Sequence, residues 1–164
     1  MSISYILVLF LTQMAVGMVV TVALLPPKLV DARFFGSGGF WSALFTGIGL
    51  FVRRQSVFHL SEIFGGSPVS PESGGWTWIG FLVFFGLCVF LWLRMRFRAI
   101  SPSRLELLLI AVIGLAAVVL DSLQFRAALP PAWAQNILLP VNFVTTSLLL
   151  GGFLAGMMFG HHYL

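Results

Sequence analysis

"SISYILVLFLTQMAVGMVVTVALL", residues 2–25, carries no charged side chain from end to end. A helix crossing a hydrocarbon core of about 30 Å needs about 20 mostly apolar residues. The stretch meets that length. No basic residue precedes it, and its apolar run is longer than that of a cleaved secretory leader, so it reads as a retained first span. It ends at Pro26-Pro27, where the backbone loses two donors and the preceding residue is pushed out of the helical region.

Four further stretches repeat the pattern. Residues 35–52, "FGSGGFWSALFTGIGLFV", are short and rich in glycine, and are expected either to span a thin path or to re-enter as a segment buried in protein. Residues 76–95 open with the aromatic run "WTWIGFLVFFGLCVFLWL". Residues 104–124 and 136–160 complete the set. The expected fold is all-α: an integral membrane helical bundle of about five transmembrane helices, with residues 1–164 as one domain.

Composition agrees. Of 164 residues, 59% are hydrophobic and only 9% charged, with mean hydropathy +1.03. Soluble domains are about 25% charged, and a water-soluble fold of this chain would lack polar sequence to cover its surface. Cys88 stands alone, which excludes a disulfide framework and a zinc site built from paired cysteines within the chain. The net charge of +4 is scattered over loops and forms no basic stripe, so no nucleic-acid partner is expected.

The basic residues sort by side instead. Lys28, Arg33, Arg94, Arg96, Arg98 and Arg104 fall on one face of a five-span topology, and Arg53, Arg54 and Arg126 on the other. Because basic residues resist translocation, the first face is expected to be cytoplasmic. That places the N-terminus outside and the C-terminus inside, as in a bacterial inner-membrane protein. Residues 53–75 form the longest predicted loop, with an amphipathic first half and a turn-rich second half. Trp76, Trp78, Trp92 and Trp133 fall near span ends, where aromatic belts lie.

Few residues carry chemistry. Gly152, Gly156 and Gly160 recur every four residues and predict a helix-packing seam, on which another backbone approaches closely. His161 and His162 follow at the end of the same span. Their first reading is a polar helix end that interacts with exposed carbonyls. Their second is axial ligation of haem b or of a chlorophyll-type pigment by a neutral imidazole. A bis-histidine haem needs a partner at matching depth, and the remaining histidine, His59, is expected on the opposite face beside Glu62. No metal-ligand spacing is present. The basic loop that carries Arg94, Arg96, Arg98 and Arg104 predicts contact with anionic lipid or an acidic partner. Asp121 is expected to snorkel or to pair with nearby Arg126, leaving no charge in the middle of a span. Gln13 and Thr145-Thr146 are expected to make interhelical hydrogen bonds.

No nucleophile–base set, phosphate-cradling loop or buried carboxylate pair is found, so no enzyme is expected. Three functional expectations follow. The first is an accessory subunit of a larger membrane complex, such as a respiratory or photosynthetic electron-transfer assembly, surrounded by membrane lipids and other integral membrane subunits. The second is a haem- or chlorin-binding subunit. The third is a small transporter or a quinone- or lipid-binding protein.

Overall fold

The computed structural model describes residues 3–26, 30–56, 71–98, 102–128 and 138–163. They form five helices: α1 (Ile3–Leu24), α2 (Ala32–Ser56), α3 (Pro71–Arg98), α4 (Arg104–Ala128) and α5 (Leu138–Tyr163). All five are long and apolar enough to cross a membrane. The protein is a multi-pass, all-helical integral membrane bundle with no strand among the described residues.

Helix ends follow local chemistry. α1 stops at Leu24, just before Pro26. Asp31 caps α2, its Oδ1 accepting the Arg33 backbone N–H at 3.1 Å. Ser103 and Glu106 form a reciprocal box at the start of α4. The Ser103 Oγ accepts the Glu106 N–H at 3.2 Å, and the Glu106 Oε2 accepts the Ser103 N–H at 2.8 Å.

Two expected boundaries move. The second span is neither short nor re-entrant, because α2 runs unbroken for 25 residues, about 37 Å of helix. Its glycines do not break it, because they sit against neighbours. A Cβ on Gly36 would lie 2.9 Å from Met95 Cβ, and one on Gly39 would lie 3.1 Å from the Cys88 carbonyl oxygen. The helix also absorbs Arg53, read from sequence as a loop residue. Residues 54–56 of that predicted loop also belong to α2 and residues 71–75 to α3, while residues 57–70, with His59 and Glu62, lie outside the described residues, as does Trp133. The histidine pair moves as well. It falls inside α5, which continues to Tyr163.

α1 is the hub. It packs against α2, α4 and α5, while α3 lies against α2 and α4. Val8, Ala15, Val16, Met18 and Val19 on α1 are buried, together with Phe34 and Phe35 of α2 and Phe81 and Phe84 of α3. Two serines pin neighbours onto the α1 backbone. Ser42 of α2 donates to the Ala15 carbonyl at 3.1 Å, and Ser147 of α5 donates to the Gln13 carbonyl at 2.8 Å. Interhelical hydrogen bonds of this kind contribute about 0.6–2 kcal/mol each in membranes. Thr145 and Thr146 do not do this work, since both are exposed and Thr146 donates to Asn142 of its own helix.

Contact order along the helices fixes their directions. Ser147 meets Gln13, Gly151 meets Gly17, and Gly152 faces Thr21, so α1 and α5 run parallel. Gly49 meets Thr12 and Gly38 meets Val22, so α1 and α2 run antiparallel. The chain therefore crosses alternately, and the start of α1 and the end of α5 lie at opposite ends of the bundle.

Candidate functional site

Two polar places stand out, one at each end of the bundle. The first lies where α2 and α4 finish. The side chains of Arg53 and Asp121 are each only 2% exposed, and Arg53 Nη2 lies 2.7 Å from Asp121 Oδ1. The same Nη2 donates to Gln124 Oε1. Asp121 and Gln124 are three apart on α4 and so share a face. The guanidinium carbon sits 5.7 Å from the ring centre of Phe81 on α3, over its face. One arginine thus ties three helices together.

The pair is costly as well as adhesive. Among the described residues, Arg53 Nε and Nη1 and Gln124 Nε2 are buried without a hydrogen-bond partner, and the Asp121 contact is ionic without hydrogen-bond alignment. Removing two charges from water costs several kcal/mol each, which their attraction offsets only in part when such atoms stay unmatched. This overturns one expectation from sequence: Asp121 pairs with Arg53 of another helix rather than with Arg126. Counted along α4, Asp121 lies about 25 Å beyond Arg104, near the far edge of the hydrocarbon core but inside protein. The available signal was two opposite charges near the same end of separate spans. Nothing local in sequence joins them.

The second place lies at the opposite end, around the N-terminal half of α2. On one side of α2, Arg33, Ser37, Trp41, Trp92 and Arg96 border a cavity of about 370 Å³. On the other side, His161 borders a cavity of about 420 Å³ with Ser37, Trp41, Phe45, Met157 and Met158. Ser37 and Trp41 line both cavities, so the two grooves flank one stretch of helix. Phe34 of α2 meets Phe159 of α5 edge-on at 5.8 Å between ring centres, which holds α5 beside this stretch. Sequence reasoning singled out Arg96 and His161, named Arg33 only for topology and Trp92 only for the aromatic belt, and missed Trp41; their proximity depends on how α2 packs.

The other candidates fall as follows. Arg94 forms an ion pair with Glu106 across α3 and α4, and Arg104 is exposed at the start of α4. Arg98 and His162 lie in the last turns of α3 and α5. Gly152 and Gly160 are half-buried and Gly156 is exposed. A Cβ on Gly152 would meet Thr21 Oγ1 at 3.7 Å, and one on Gly156 would find open space. The tight contact is made one residue before Gly152. A Cβ on Gly151 would lie 1.9 Å from the Gly17 carbonyl carbon, and one on Gly17 would lie 1.7 Å from the Ser147 carbonyl oxygen. Ser147, Gly151 and Ala155, each buried, form the small-residue face that α5 turns to α1. Among the described residues no three histidine, cysteine, aspartate or glutamate side chains gather as a metal site.

The chain matches no protein-family model, no curated protein and no solved structure.

Proposed function

We propose that the protein is an accessory transmembrane subunit that joins a larger membrane complex through the outward face of α5. The observation that carries this is what that face displays. Only 22% of the α5 span is buried, and its outer surface mixes Asn142, Thr145, Thr146 and Gly156 with Leu149 and Phe153. The outward face of α3 differs, with Ile79, Leu82, Val83, Phe90 and Leu93 exposed and Gly86 its one small residue in the middle. Lipid suits the bulky face. Polar and small residues favour another helix, because they allow close backbone approach and cross-helix hydrogen bonds. Since α5 already uses its Gly151 face on α1, its outward face is left for a further helix, which this reading assigns to a partner subunit.

A photo-crosslinker placed at Leu149 or Phe153 in native membranes should give discrete protein adducts, lost or shifted when Gly156→Leu fills the face. The same probe at Val83 should label lipid. Lipid adducts alone from all three positions would end this reading.

The orientation in this reading rests on the count of basic residues in the sequence, six towards one end (Lys28, Arg33, Arg94, Arg96, Arg98, Arg104) against three towards the other (Arg53, Arg54, Arg126). The end carrying Arg33, Arg94, Arg96 and Arg104 is then the cytoplasmic one, which supports an N-terminus outside and a location such as a bacterial inner membrane.

A second reading, haem or chlorin ligation in an electron-transfer assembly, is favoured by the place of His161 alone. It supplies one imidazole beside an aromatic and thioether wall, which offers a single axial nitrogen and apolar packing for a flat macrocycle. A visible absorption band of natively purified protein that vanishes in His161→Ala is the expected result for this reading. A blank spectrum in the unsubstituted protein excludes it.

A further inference from the structure

The groove between α2 and α3 has two stretches of opposite chemistry. Near its open end, Arg33 from the first turn of α2 and Arg96 from the last turn of α3 face the 370 Å³ cavity, with Trp41 and Trp92 beside them. Next along the same groove lies a cavity of about 390 Å³ walled by Phe40, Leu44, Ile48, Phe51, Phe85 and Trp92. Phe40 and Trp92 border both, so the two run together. We infer that this groove binds a phosphate-headed, long-chain lipid, its head between Arg33 and Arg96 and one acyl chain along Phe40, Ile48 and Phe51.

The head end is built for an anion. A guanidinium presents a planar fork of donors that matches phosphate. The neighbouring arginine, Arg94, is engaged by Glu106. Among the described residues no carboxylate pairs with the Arg33 or Arg96 side chain, and the carboxylate closest in sequence, Asp31, commits an oxygen to the Arg33 backbone N–H. Trp92 borders both stretches and Trp41 borders the first, so their amphipathic rings can flank the head and its junction with the chain.

The tail end is built for a chain. From Phe40 to Phe51 the groove follows about 16 Å of α2, roughly half of a 30 Å hydrocarbon core, the depth one chain of one leaflet occupies. Its walls are aromatic and aliphatic side chains, and both cavities fall in the size range of about 300–1,000 Å³ usual for small-molecule sites. A free phosphate uses only the first stretch; a lipid uses both.

The test is native mass spectrometry of the purified chain in detergent, titrated separately with palmitoyl-oleoyl phosphatidylglycerol, the matching phosphatidylcholine and inorganic phosphate. One phosphatidylglycerol should be retained per chain, in preference to phosphatidylcholine. With about 1 kcal/mol for each basic residue near an anionic head, Arg33→Gln and Arg96→Gln should each weaken binding about fivefold, and together about thirtyfold. Arg94→Gln should change it less than about twofold. Ile48→Trp fills the apolar stretch, keeps both arginines and should abolish retention of the lipid. Melting temperatures in lipid-free detergent check folding; if the double variant does not fold, Arg96→Gln, at an exposed position, carries the test. Equal retention of both phospholipids, or unchanged binding in the arginine variants, would mean ordinary annular lipid and overturns the proposal. Competition by millimolar inorganic phosphate as effective as by lipid, or indifference to Ile48→Trp, would mean a free-anion site and overturns it too.

Discussion

Asp121→Ala destabilises the bundle by about 3–5 kcal/mol, the cost typical of removing one partner from a buried ion pair. The carboxylate is only 2% exposed and faces Arg53, which is equally buried. Without it the guanidinium keeps one hydrogen bond, to Gln124, and the ring of Phe81. Neither neutralises its charge. Equilibrium unfolding in mixed micelles, with the mole fraction of SDS raised stepwise, reads the loss directly. The informative partner is the double variant Arg53→Leu/Asp121→Leu, which should recover most of the stability. Replacing an imperfectly satisfied buried pair by apolar side chains is often neutral or better, and here the unmatched atoms, Arg53 Nε and Nη1, go with it. A double variant as unstable as the single one would show that the pair is strongly net stabilising and that its unmatched atoms matter little.

Gly151→Ala is the second large effect, about 3 kcal/mol of destabilisation. Overpacking usually costs about 1–3 kcal/mol, and this case belongs at the top because the obstructing atoms are backbone. The added Cβ would fall 1.9 Å from the Gly17 carbonyl carbon and 2.0 Å from the Met18 nitrogen. No rotamer relieves that overlap; α5 must move away from α1, stretching the Ser147 hydrogen bond to Gln13. Gly152→Ala should change stability with the opposite sign. Its Cβ finds Thr21 Oγ1 at 3.7 Å, an ordinary contact, and alanine favours helix over glycine by up to about 1 kcal/mol. The same mixed-micelle unfolding compares the two. Equal losses at both positions would place the close approach elsewhere.

This pair of glycines also shows what sequence can deliver. That α5 has a small-residue seam is legible from spacing. Which face makes it is not, because Gly151 and Gly152 are adjacent and each starts a four-residue series, Gly151–Ala155 or Gly152–Gly156–Gly160. The choice is made by Gly17, far away in the chain. The number of spans was legible for a stronger reason: every span must satisfy its own backbone in lipid, so length and apolarity alone mark it. The continuity of α2 was not, because a run such as "FGSGGF" weakens helix in isolation and is held by Met95 and Cys88 of α3. The Arg53–Asp121 pair was hidden for the same reason as the Arg33–Arg96 groove. Each joins residues from helices whose neighbourhood only packing decides.

The Gly17–Gly151 crossing has a consequence for how the protein is made. Gln13 and Ser147 are separated by 134 residues. At synthesis rates of about 5–20 residues per second, α1 waits about 7–27 s in the bilayer before the helix that covers its glycine emerges. Throughout that interval the Gly17 notch is open to other helices, including that of a neighbouring nascent copy. A ribosome that stalls before residue 151 leaves behind a chain whose Gly17 notch has no α5 to cover it.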